Sequence, residues 1–156
     1  MPMARLERVF IWTSISVLVA GLIAIGASWA IGGIELPGPS GRVDPKALGS
    51  DPTFSQPGLH QIGDKEYEAV LIAQTWSFGG ANQLTVPAGS TVHFKVTSAD
   101  VIHGFYIRDV LINSMVIPGQ VTEVTAHFDE AGNYQILCHE YCGIGHHLMA
   151  AMVTVE

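Results

Sequence analysis

The sequence predicts a mainly β domain, a two-sheet sandwich or small barrel, carried behind one N-terminal transmembrane helix. Three observations carry this. A charge-free apolar stretch runs from Val9 to Ile34, a Pro- and Gly-rich segment follows it, and short alternating runs broken by turn residues fill the rest of the 156 residues.

The apolar stretch exceeds the roughly 20 residues a helix needs to cross a bilayer. Arg5 and Arg8 lie before it, and Glu35 is the first charge after it. The positive-inside rule then places residues 1–8 in the cytoplasm, the anchor at 9–34, and the remainder on the outer, periplasmic face of the cell membrane. Ser28-Trp29-Ala30 offers a small-x-small cleavage site, but the run is longer than the roughly 7–15 residues of a signal-peptide core. An uncleaved anchor is therefore expected.

Residues 35–63 hold five of the 8 prolines (Pro37, Pro39, Pro45, Pro52 and Pro57) with Gly38, Gly41, Gly49, Gly58 and Gly63. Such a composition predicts an irregular, extended tether. The domain proper is expected over 64–156.

Within it, Tyr67–Trp76 and Gln83–Val86 read as strands, and Pro87-Ala88-Gly89-Ser90 as a turn. In Thr91–Thr97, Val92, Phe94 and Val96 alternate with His93 and Lys95, the signature of a half-buried strand. His103–Ile107 is another strand. Thr122–Phe128 alternates again, with His127 on the polar side. Tyr134–Cys138 and Met149–Val155 complete the pattern. If Tyr134, Ile136 and Cys138 face the core with Met149, Ala151, Val153 and Val155, then Cys138 and Met149 meet at one rim. The intervening loop carries Cys142 and His146 over that rim.

Charge narrows the partners. The whole chain has 7 Lys and Arg, 14 Asp and Glu, and a net charge of −7. Arg5, Glu7 and Arg8 contribute one positive unit before the anchor, so the exported part is one unit more negative. A domain this acidic is a poor nucleic-acid binder and attracts basic partners.

The chemistry concentrates at Cys138-His139-Glu140-Tyr141-Cys142-Gly143-Ile144-Gly145-His146-His147-Leu148-Met149, which holds both cysteines of the chain. A disulfide between residues four apart closes too small a loop to contribute much. Thiolate, imidazole and thioether together are a copper donor set. One tetrahedral zinc leaves Met149 without a role, and a blue-copper site leaves one cysteine without a role. Two coppers bridged by Cys138 and Cys142 use every donor. Each metal takes one histidine, His146 or His103, and Met149 and the Glu140 carbonyl complete the two sets. His103 opens a strand after a polar turn and is followed by the small Gly104. His93 and His127 fall on outward faces, His60 in the tether, and His139 and His147 beside the site.

The pattern Cys-x-Glu-x-Cys-Gly-x-x-His-x-x-Met, with Asp100-Val101-Ile102-His103 upstream, resembles the dinuclear CuA domain of cytochrome c oxidase subunit II. It is most similar to the short, single-helix form found in B-type heme–copper oxidases. Val86-Pro87-Ala88-Gly89, Thr97-Ser98-Ala99 and Ile117-Pro118-Gly119 also match, and the likeness spans essentially the whole chain. It implies a cupredoxin-like Greek-key sandwich with Cys138 and Cys142 as bridging ligands, His103 and His146 as terminal ones, Met149 as a weak ligand, and Glu140 ligating through its backbone carbonyl. The implied partners are the heme–copper subunit I and a cytochrome c or similar electron donor. In long-form members a glutamate at the position of Glu140 also offers its carboxylate to magnesium. Short forms often carry Gln there, so Glu140 departs from the nearest group, as does His139 where Ser or Asn is usual.

Trp76 and Phe78, before Gly79-Gly80, are expected as an exposed aromatic patch where electrons come in. Asp100, three residues before His103, is a candidate to support that ligand or to cap a turn. Three other functions fit parts of the pattern. They are a CuA domain of nitric or nitrous oxide reduction, a quinol-oxidase subunit II that has lost its copper, and a copper-delivery module without catalytic partners. The single anchor disfavours the first, and the intact ligand set argues against the second. Reversible copper release would mark the third.

Overall fold

The computed structural model describes residues 4–32, 39–81 and 84–156. Residues 33–38, where the anchor is expected to end and the tether to begin, and Gln83 lie outside them. The chain divides near residue 36 into a helical unit and a β unit.

Helix α1 (Arg5–Gly32) is 28 residues long. At 1.5 Å per residue that is about 40 Å, more than the roughly 30 Å of bilayer hydrocarbon. Leu6, Phe10, Trp12, Val17, Leu18, Leu22, Ile23, Ile25 and Trp29 are all exposed, so the helix presents apolar surface on every side. A helix apolar all round belongs in lipid, and its backbone groups are satisfied within the segment as lipid requires.

Among the described residues, eleven strands form the β unit: β1 (Pro39–Arg42), β2 (Gly58–Gly63), β3 (Glu66–Gln74), β4 (Ser77–Gly79), β5 (Leu84–Val86), β6 (Ser90–Ser98), β7 (His103–Ile107), β8 (Ile112–Val116), β9 (Gln120–Phe128), β10 (Gly132–Leu137) and β11 (Ala150–Val155). One sheet runs β1-β9-β6-β3-β2 with β4 added on β3; the other runs β5-β11-β10-β7-β8. The pairs β3/β6 and β5/β11 are parallel and the others antiparallel. The sandwich expected from the alternation is the observed architecture, of the cupredoxin-like type.

Alternation decides which side chains enter the core. Val92, Phe94 and Val96 on β6 are fully buried between the sheets, with Leu71, Phe105, Ile107, Phe128 and Ile136. The outward residues make ordinary surface contacts: His93 with the Thr125 hydroxyl at 3.0 Å, His127 with the Thr91 hydroxyl at 3.1 Å.

The tether expected over 35–63 is corrected by the structure. Residues 39–42 pair with β9 (Arg42↔Gln120), and 58–63 pair with β3 (His60↔Glu68). Between them Leu48 and Phe54 are buried with Val70 in a second cluster, flanked by Val43, Ile72 and Val121. The apolar strip on the outer face of the first sheet needs a cover, and two apolar side chains suffice. The Asp51 carboxylate accepts the N–H groups of Thr53 and Phe54 at 2.8 and 3.1 Å and turns the chain onto that strip. Pro39 opens an edge strand, where its missing N–H is tolerated.

The expected strand 67–76 stops at Gln74, and the chain reverses at Thr75-Trp76 into β4, which pairs back on β3 through Ala73↔Phe78. β8 was not expected. Its inward positions are Ile112, Ser114 and Val116, and the serine at the middle breaks the apolar alternation.

Candidate metal centre

The end of β10 and the start of β11 lie side by side, in a register that sets Ile136 against Ala151. Beyond the last paired residues the Cys138 N–H donates to the Met149 carbonyl at 3.2 Å. Cys138 and Met149 therefore sit opposite each other at the rim, both buried. Gly143, with φ of 128°, turns the loop where a side chain would be strained. A one-turn helix at His146–Leu148 returns the chain, its closing bond running from the Met149 N–H to the His146 carbonyl at 3.1 Å.

The loop brings its donors together. Cys142 Sγ lies 3.9 Å from Cys138 Sγ, 3.6 Å from Met149 Sδ and 3.6 Å from His146 Nδ1. Cys138 Sγ lies 3.2 Å from the Glu140 carbonyl oxygen and 3.9 Å from His103 Nδ1. His103 arrives from β7 in the same sheet and is fully buried. Both cysteines are free thiols. His103, Cys138 and Cys142 are the group of metal-competent His, Cys and carboxylate side chains found among the described residues. All six residues expected as ligands converge.

The donors fit copper. They are two sulfurs, two imidazole nitrogens, a thioether and a carbonyl oxygen, with no carboxylate in the cluster, a soft set that selects copper over oxygen-loving metals. His103 also has a free nitrogen aimed at the sulfurs. Its Nε2–H donates to Asp100 Oδ1 at 2.8 Å, so Nδ1 is the ring nitrogen turned toward Cys138 as the ligand atom.

Asp100 does more than cap a turn. Its carboxylate accepts the Thr75 N–H at 2.7 Å, the Thr75 hydroxyl, the Val101 N–H at 2.6 Å and the His103 ring. Partial burial raises its pKa, but the bonds from Thr75, His103 and the Thr75 and Val101 N–H groups outweigh that and hold it well below the usual carboxylate range. Every one of these partners is a donor, so an amide is a poor replacement. Asp100→Asn sets an NH2 group against Thr75 or His103 and is expected to weaken copper affinity about 10- to 100-fold, read by chelator competition.

Burial, followed by the adjacent Cys138 thiol, pushes the Cys142 thiol up to about 11. Without metal the site holds this thiol neutral at pH 7, so loading must release its proton. A folded-state pKa above the ordinary thiol value of 9.0 means the fold binds this proton more tightly than the unfolded chain. That stabilisation is full below pH 9 and is lost as pH rises toward about 11. Thermal melts in detergent are expected to show the metal-free chain losing stability over that window. The copper-loaded chain, its thiols already deprotonated, is expected to lack this loss.

Around the centre lies an apolar rim. Trp76 is half exposed, and its ring covers the loop so closely that a Cβ on Gly145 would fall 2.7 Å from it. Tyr141, Ile144 and Leu148 are 74, 89 and 73 % exposed, and the Tyr141 ring stands edge-on to His146 at 5.9 Å. Sequence reasoning overlooked these three, although large apolar residues in a Gly-rich loop were a signal. Phe78 is corrected: it is buried and packs edge-to-face on Phe105 at 5.8 Å, because β4 turns it into the sandwich. Thr75, which joins the Trp76 turn to Asp100, was also overlooked. His60 bonds the Gln56 carbonyl at 2.9 Å, away from the site.

Residues 66–155 match the model of the cytochrome c oxidase subunit II periplasmic domain. A cytochrome c oxidase subunit 2 of Thermus thermophilus is 34 % identical over 137 residues, covering 86 % of this chain and 81 % of that protein. A heme–copper terminal oxidase dimer solved by cryo-electron microscopy contains a chain with a TM-score of 0.80 and 33 % identity, covering 97 % of this chain and all of that one. The periplasmic domain of subunit II from Bradyrhizobium japonicum, 22 % identical, shares the fold with a TM-score of 0.53, over 57 % of this chain and 83 % of that one.

Proposed function

The chain belongs to the cytochrome c oxidase subunit II family, and from that premise we propose that it is the membrane-anchored subunit through which electrons reach a heme–copper oxidase. The observation that carries the reading is the convergence of two thiols, two imidazoles, a thioether and a carbonyl at one rim of the sandwich.

We assign Cys138 and Cys142 as bridging ligands, His103 and His146 as terminal ones, and Met149 and the Glu140 carbonyl as one weak ligand each. Two copper ions would match this division, because each would be held by both sulfurs, one imidazole and one weak donor. When bound, such a pair supplies one-electron storage. The chain does the rest. Asp100 fixes the tautomer and angle of His103. Cys138 and Met149 anchor the site on paired strands, and burial keeps water from rearranging around it. The Glu140 carboxylate, outside the ligand cluster on a partly exposed residue, is our candidate for a magnesium ion at the contact with the catalytic subunit.

In this reading the helix lies in the cell membrane with Arg5 and Arg8 on the cytoplasmic side, and residues 39–156 are outside. The acidic domain attracts a basic donor such as a cytochrome c. Trp76, half exposed and seated on the ligand loop, is the point of electron input.

Rapid mixing of the assembled oxidase with reduced cytochrome c tests the reading. The absorption of the loaded centre is expected to change before that of heme. Trp76→Ala is expected to slow donor oxidation about tenfold or more, the scale of a tryptophan hot spot, with the centre's own spectrum retained. Heme reduction that precedes any change at the centre contradicts the proposal.

A further inference from the structure

The edge of the site between Cys138 and His103 has an unusual support. β10 pairs with β7 at Ile136↔Ile107 and Leu137↔Tyr106, and there the ladder stops. Past it, the Cys138 backbone faces β11, as alternation requires, and donates to the Met149 carbonyl. The next residue to face β7 is His139, opposite Gly104, and among the described residues it makes no backbone bond there. Yet His103 on β7 must stay in register with Cys138, since their donor atoms lie 3.9 Å apart.

The side chain of His139 bridges this gap. Continued by two residues, the register sets His139 opposite Gly104, on the sheet face away from the sulfurs. Its ring lies flat on Gly104: a Cβ there would fall 2.6 Å from the ring Cγ and Cδ2. Its Nε2–H donates to the Ser114 carbonyl on β8 at 3.3 Å. One imidazole thus joins the exit of β10 to the strand that carries His103 and to the strand beyond it. A shorter side chain cannot span all three, and any residue other than glycine at 104 would displace the ring.

We propose that His139 is a positioning residue that holds Cys138 against His103, replacing the strand pairing that β10 lacks beyond Leu137. This rests on the copper reading above. Its effect is on the spacing of two ligands rather than on the stability of an exposed surface site.

The test uses the full chain in detergent, loaded with copper and challenged with excess EDTA. His139→Ala is expected to lose copper about tenfold faster or more and to change the hyperfine pattern of the copper signal. Its metal-free melting temperature should stay within about 3 °C of the wild type. Gly104→Ala, which evicts the ring, should give the same two changes, and the double variant should be no worse than either single one. Wild-type loss rate and signal in His139→Ala overturn the proposal, even if that chain melts earlier, because the residue then serves stability alone. Additive effects in the double variant also overturn it. A wild-type chain that takes up no copper overturns the copper reading and this inference together, whereas a normal wild type with an unaltered His139→Ala removes only the latter.

Discussion

Cys142→Ser is expected to abolish the paired-copper signal and leave at most one copper per chain. Cys142 Sγ stands within 3.9 Å of Cys138 Sγ, His146 Nδ1 and Met149 Sδ, so it is the hub of the donor set. A serine hydroxyl is a hard, weakly acidic donor that does not bridge soft metal ions as a thiolate does. Folding should survive, because Cys142 lies on the loop between β10 and β11 rather than in a strand of the sandwich. Copper analysis together with electron paramagnetic resonance checks the result, and in the assembled oxidase electron transfer from cytochrome c should be lost. His147→Ala provides the contrast. His147 is exposed, one residue from His146, and its loss should leave stoichiometry and signal unchanged.

Phe105→Ala is expected to destabilise the β unit by about 3–5 kcal/mol. Phe105 is fully buried and meets Phe94 at 5.4 Å and Phe78 at 5.8 Å, linking the two sheets. Alanine leaves a cavity that stiff β strands close only in part. Against a total of roughly 5–15 kcal/mol for a domain, the loss is large, and melting should fall by more than about 10 °C. Phe105 also lies two residues after His103 on the same inward face, so copper should be held less well in the folded fraction. A melt within a few degrees of the wild type would mean that the sheets do not depend on this aromatic cluster.

The site was more legible in the sequence than the periphery of the fold. Cys138, Cys142, His146 and Met149 sit in one short segment, and strand alternation alone placed Cys138 opposite Met149. His103 was legible because it opens a strand after a polar turn. The segment 39–63 was not. Its composition reads as a tether, but Leu48 and Phe54 have value only against Val70, a partner that local pattern does not reveal. Phe78 was misplaced for a related reason: the reversal at Thr75-Trp76 sends two residues of the same short segment to opposite environments, one half exposed and one buried. The seat of His139 on Gly104 depends on strand register across 35 residues, which no local spacing encodes.

The most direct test of the central claim is the electron paramagnetic resonance spectrum of the full chain loaded with copper and poised with one unpaired electron per site. Two equivalent coppers bridged by Cys138 and Cys142 share that electron and give a seven-line hyperfine pattern. A four-line pattern from a single copper, or uptake of one zinc in its place, contradicts the two-copper centre.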